Sequence, residues 1–149
     1  MPRYFGRLLI ALSLGLASPA LAQDAAAPGP DSRVMLELNG ASDTKAGGCQ
    51  LTIVATNQLE TGIKRAAWQV AIFDKAGAVQ SLPILDFGGM IAGKTRVGLF
   101  PLPDRPCADI GRIVVNDVAE CSAEDGADLR DICLGGLATQ TRTDIDFGL

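Results

Sequence analysis

Between Arg65 and Phe87 the chain reads RAAWQVAIFDKAGAVQSLPILDF, two alternating apolar runs on either side of Asp74-Lys75-Ala76-Gly77. Trp68, Val70 and Ile72 share one face of the first run, while Ala67, Gln69, Ala71 and Phe73 share the other. The period is two, and the element is a strand. Gly77 supplies the positive φ that closes a short loop, so the stretch is a β-hairpin. Two strands bury too little apolar surface to be stable alone. The rest of the chain must bring further sheet against the Trp68 face.

At the amino end, Arg3 and Arg7 precede an apolar run from Leu8 to Leu16, and Ala20-Leu21-Ala22 then offers a small-x-small cleavage pattern. Residues 1–22 are expected to be a secretory signal peptide. The run is short for a bilayer span and is followed by Pro19. Gln23, not a cysteine, stands after the cleavage point, so a lipid anchor is not expected. Cleavage would remove two arginines and no acid, moving the net charge from −4 to −6. A mildly acidic surface argues against nucleic acid and anionic membrane as partners and suits a small domain that stays in solution. Residues 23–33, QDAAAPGPDSR, are rich in Ala, Pro and Gly with no apolar period and form a tether. Residues 34–149 are one domain.

Within that domain a first strand is expected from Val34 to Leu38, followed by a turn-rich connection from Asn39-Gly40 to Gly47-Gly48. A second spans Cys49 to Asn57, with Leu51, Ile53 and Ala55 opposite Thr52 and Thr56. The central hairpin supplies the third and fourth. The fifth runs from Lys94 to Leu102 and is ended by Pro101 and Pro103; the sixth runs from Ala108 to Val118. The seventh, Gly136 to Phe147, is polar on both faces for most of its length and marks an edge or a weakly specified strand. Helical character is confined to Ala123 to Cys133. About seven short strands spaced by turns point to an all-β, two-sheet sandwich of immunoglobulin-like type. A seven-strand barrel is the rival architecture, and patterning accommodates both.

The cysteines at 49, 107, 121 and 133 are expected to be oxidised in an exported protein, and four of them allow three pairings. If strands alternate in direction, the second and sixth begin at one end of the sandwich. That pairs Cys49 with Cys107 and leaves Cys121 with Cys133 at the other end. A redox or metal role is disfavoured, since no C-x-x-C spacing exists and the chain has no His.

One motif invites a nucleotide reading. Gly88-Gly89-Met90-Ile91-Ala92-Gly93-Lys94-Thr95 satisfies the phosphate-loop pattern G-x-x-x-x-G-K-[ST]. The motif needs a following helix whose amino end holds the phosphates, and Arg96-Val97-Gly98-Leu99-Phe100-Pro101 reads as strand. The stretch is expected to be a Gly-rich loop between strands. Without His there is no Ser/His or Cys/His couple. Asp117, Glu120, Glu124, Asp125, Asp128 and Asp131 lack the calcium-loop spacing and read as a solvated acidic region. No catalytic, cofactor-binding or metal-binding residue is expected, and Trp68 reads as core.

Val70-Ala71-Ile72-Phe73-Asp74, then Gly77, then Ile91-Ala92-Gly93-Lys94-Thr95, resembles the FxLYD-type immunoglobulin-like domains of bacterial envelope proteins. GGCQLTIVATN, LDFGG and CADIGRIVVND are similar to stretches of a group of uncharacterised short exported alphaproteobacterial proteins, some with twin-arginine signals; Arg3 and Arg7 are not adjacent. The resemblance implies a β-sandwich in the cell envelope and no known active site. Two function classes follow. One is a non-enzymatic interaction or structural module of the cell envelope, contacting an envelope protein or peptide through an open edge or a Gly-rich loop end. Its expected edges are the first strand, Val34 to Leu38, and the polar last one. The alternative is a small-ligand carrier or an enzyme, which needs a pocket of convergent polar groups.

Overall fold

A computed structural model describes residues 33–149. The expected signal peptide, and all of the expected tether except Arg33, lie outside the described residues. Nine strands and two short helices follow one another: β1 (Val34–Asp43), β2 (Cys49–Asn57), β3 (Ile63–Asp74), β4 (Val79–Ser81), β5 (Ile84–Met90), β6 (Thr95–Leu102), a 3₁₀ turn (Cys107–Asp109), β7 (Ile110–Ala123), α1 (Arg130–Gly135), β8 (Ala138–Thr141) and β9 (Asp146–Gly148).

β1 continues past Asn39-Gly40, which is not the turn that the dipeptide suggests. Pairing with β2 shifts between Leu38 and Gly40, so Asn39 is the extra residue of a bulge. The turn lies at Thr44 to Gly47, where Gly47 takes φ 84° and its N–H donates to the Thr44 carbonyl at 3.0 Å.

The central hairpin turns where expected. Gly77 has φ 85°, and Asp74 Oδ1 accepts the N–H groups of Ala76 and Ala78 at 2.9 Å. Its returning arm, however, is two strands. Pro83 has no N–H to continue a ladder, and the arm breaks there into β4 and β5, both lying along the same edge of β3. Pro83 still accepts the Val70 N–H at 3.0 Å.

One sheet has the order β6-β2-β1-β8, and the other β4-β3-β7-β9 with β5 also on β3. This is an all-β sandwich. Among the described residues no ladder joins the sheets, so the barrel alternative falls. Val34, Leu36 and Leu38 of β1 and Leu51 and Ile53 of β2 face Trp68, Val70 and Ile72 of β3 and Ile113 of β7, and none of these is solvent-exposed. The Trp68 Nε1–H donates to the Cys133 carbonyl at 2.8 Å, which satisfies the one polar atom of that side chain. Phe87 stands edge-on to Trp68 at 5.9 Å and to Phe100 at 5.1 Å, filling the side of the core beneath β5 and β6.

Three further expectations need correction. The helical stretch is α1, Arg130–Gly135, because β7 runs on through Cys121 to Ala123. Ala108 belongs to a 3₁₀ turn before β7. The expected last strand divides: β8 runs parallel to β1 and β9 parallel to β7, so the chain crosses from one sheet to the other between them. Its threonines mark this crossing. Thr141 Oγ1 accepts the Thr143 N–H and Thr143 Oγ1 accepts the Ile145 N–H, each at 3.1 Å.

Cys49 is bonded to Cys107 and Cys121 to Cys133. The first joins the start of β2 to the 3₁₀ turn before β7; the second ties α1 to β7 over Trp68. They close separations of 58 and 12 residues, which chain entropy converts to about 4 and about 3 kcal/mol.

Candidate interaction surface

β1 is not an open edge. It lies between β2 and β8, and Leu36 is fully buried. The strands at the two ends of its sheet are β8, which falls in the last stretch expected to be an edge, and β6, whose outward edge pairs with no strand among the described residues.

The ladder shows which backbone groups that edge presents. The Asn57 N–H donates to the Lys94 carbonyl at 3.0 Å, and the pairing continues as Ala55 with Arg96, Ile53 with Gly98 and Leu51 with Phe100. Hydrogen-bonded and non-bonded pairs alternate in an antiparallel ladder. Arg96, Gly98, Phe100 and Leu102 therefore turn their backbone groups to β2, and Thr95, Val97, Leu99 and Pro101 turn theirs outward. This parity explains why Pro101 lies inside the strand, paired with Gln50, rather than ending it. Its missing N–H falls on the outward side, where the β2 ladder loses nothing. Free donors remain at Thr95, Val97 and Leu99.

Side chains follow the same parity. Phe100 and Leu102 pack on the core, with the Phe100 ring folded over Gly98; a Cβ on Gly98 would stand 2.5 Å from that ring. Val97 and Leu99 point to the outer face and are 60% and 58% exposed. Across β2 they meet Val54 and Thr52, and Thr56 and Thr95 share a hydroxyl hydrogen bond of 3.0 Å. The β2–β6 half of this outer face, Gln50, Thr52, Val54, Thr56, Thr95, Val97, Leu99 and Pro101, carries no charged residue.

The other half of that face is polar and occupied. Glu37 on β1 is 6% exposed and accepts from Asn39 Nδ2 and Arg142 Nε, each at 2.7 Å, and from Gln140 Nε2. These partners, Arg142 foremost, hold its carboxyl below the ordinary range. The cluster fastens β8 and the crossing segment to β1. The outer face of the second sheet is charged: Arg65 pairs with Asp86 at 2.6 Å and Glu120 at 3.4 Å, and Arg112 lies over the Phe73 ring at 4.3 Å. Hydrogen bonds from Arg65 and from the Gly88 N–H lower the Asp86 pKa.

The residues that invited other readings are dispersed or engaged. After Gly88 to Lys94 comes β6, not a helix, and Lys94 borders a small surface hollow with Gly89, Ile91 and Arg96. Asp125 Oδ1 and Asp128 Oδ1 accept the N–H groups of Ala127 and Arg130, and Asp117 pairs with Arg130 at 3.2 Å. No group of three His, Cys, Asp or Glu among the described residues is arranged to hold a metal ion. An open hollow of about 450 Å³ is lined by Asp117, Val118, Arg130, Asp131, Leu134 and Gly135, where Asp117 and Arg130 pair with each other. Another of about 380 Å³ lies beside Lys75, Cys107, Thr143 and Asp144, where the Thr143 hydroxyl serves the crossing turn. No helix among the described residues is long and apolar enough to cross a membrane.

Sequence reasoning found β6 as the strand Lys94 to Leu102 but, taking Pro101 as its terminus, did not name it among the open edges. The usable signal was the alternation of Val97, Leu99 and Pro101 with Gly98 and Phe100. No family model, curated protein or solved structure matches this chain.

Proposed function

We propose that this protein is an exported, non-enzymatic interaction module of the cell envelope that meets protein partners through the β6 edge and the adjoining outer face of β2 and β6. The observation that carries the reading is an uncharged, partly apolar face beside unpaired strand donors, on a chain whose net charge is −4. Interface cores are depleted in charge, and an edge with free donors is the template for strand addition. The two disulfides and the leader pattern of residues 1–22 support export to the periplasm. The neighbours β1-β2-β6 and β3-β7-β9 support an immunoglobulin-like assignment, since they follow the A-B-E and C-F-G order of that fold. β9 departs from it by running parallel to β7.

The test is cross-linking in the intact envelope with wild type, a Val97→Lys/Leu99→Lys variant and an Ile84→Lys control on the other sheet. Cross-linked species should be lost in the double variant and kept in the control. Species that persist in a folded double variant would overturn the assignment of this surface, and turnover in a substrate screen would overturn the non-enzymatic reading.

A further inference from the structure

The proposed function leaves the occupant of the β6 edge open, and the strand's own pattern identifies one. We infer that the β6 edge pairs with β6 of a second copy of this chain, antiparallel about a two-fold axis at Gly98, joining two four-stranded sheets into one. This rests on the reading of β6 as the contact surface. A two-fold interface must be complementary to itself, and this strand meets that condition in three respects.

The first is hydrogen bonding. With Gly98 facing Gly98, Val97 and Leu99 of one copy oppose Leu99 and Val97 of the other, and these are the residues whose backbone groups turn outward. Their N–H groups and carbonyls would pair reciprocally, and the Thr95 N–H would reach the Pro101 carbonyl. Every free donor of the edge is then used, and the donor that Pro101 lacks falls at the end of the new ladder.

The second is side-chain matching. The facing Val97 and Leu99 side chains are apolar and 60% and 58% exposed, and they would lie on the uncharged face, extending it across both copies. A register centred on Val97 makes equivalent backbone bonds but opposes Leu99 with Thr95, so side chains favour Gly98.

The third is charge. An acidic chain meeting itself generally sets like charges against each other. Here the one charged residue within β6 is Arg96, which faces Phe100 in this register and already donates to the Gly89 carbonyl at 3.0 Å.

The experiment uses the protein purified after export, in wild-type, Val97→Lys/Leu99→Lys and Ile84→Lys forms. Mass is measured by sedimentation and light scattering over a dilution series, and amide exchange by mass spectrometry. The inference expects a wild-type dimer that dissociates on dilution, slower exchange in residues 95–99 in the dimer, a dimeric Ile84→Lys control, and a double variant that is monomeric with an unchanged circular dichroism spectrum. A wild type that stays monomeric at its solubility limit overturns the inference; if its envelope cross-links still depend on Val97 and Leu99, the proposed function survives with a different partner. A dimer that persists in the folded double variant, or one without protection in 95–99, overturns it as well.

Discussion

Proline substitutions at adjacent positions of β6 test the parity on which the candidate surface depends. Arg96 is assigned a bond to the carbonyl of Ala55, a fully buried residue, so Arg96→Pro removes a ladder donor and strands a buried acceptor. The lost bond is worth about 1 kcal/mol and the unpaired carbonyl a further 1 to 3 kcal/mol or so, a total of roughly 2 to 4 kcal/mol. Val97→Pro removes an outward N–H that has no partner among the described residues, and its side chain is 60% exposed. Restricting the unfolded chain offsets part of any packing loss, so the change should stay within about 1 kcal/mol. For a domain of this size the gap corresponds to a melting difference on the order of 10 °C. Arg96→Ala serves as the control, because it removes the bond to Gly89 without touching the ladder. Thermal and urea unfolding followed by circular dichroism provide the measurement. Equal destabilisation by the two prolines, or greater loss with Val97→Pro, would refute the assignment of outward donors and remove the basis of the β6 surface.

Gly98→Ala should cost about 1 to 3 kcal/mol, since its methyl would stand 2.5 Å from the Phe100 ring and 3.0 Å from that of Phe87; urea unfolding will show whether the rings give way. Trp68→Phe leaves the Cys133 carbonyl without its donor and a void beside Phe87, and should lower stability by about 2 to 4 kcal/mol in the same assay. Acid should act on Glu37, whose folded pKa lies below its ordinary 4.5 through the bond from Arg142 first. Its contribution is therefore complete above 4.5 and lost as pH falls through the lower folded value. Unfolding midpoints measured down the acid range should fall less steeply in Glu37→Gln than in wild type, and parallel curves would exclude that carboxylate. Lys94→Ala should change stability by less than about 0.5 kcal/mol, and calorimetry with nucleotide should show no heat that depends on Lys94, because no helix follows the loop.

What the sequence determined by itself was local. Asp74 and Gly77 suffice for the turn of the central hairpin, since a carboxylate that accepts nearby N–H groups and a residue free to take positive φ need no distant partner. Alternation in Cys49–Asn57 assigns the faces of β2, because side chains of a strand point to opposite sides whatever its neighbours are. The disulfide pairs follow from strand directions alone. Neighbour identity is a different matter. A buried face looks the same on a central strand and on an edge strand, so Val34, Leu36 and Leu38 could not reveal that β8 covers the side of β1 away from β2. That pairing joins segments about a hundred residues apart, as when Gln140 reaches Glu37 across 103 residues. The division of Gly136 to Phe147 between two sheets, and the exposure of β6 that follows from the strand order, were decided by tertiary structure. The physical reason is that a side-chain pattern records which face of a strand meets the core, whereas the ladder beside it is made by backbone groups that every residue type shares.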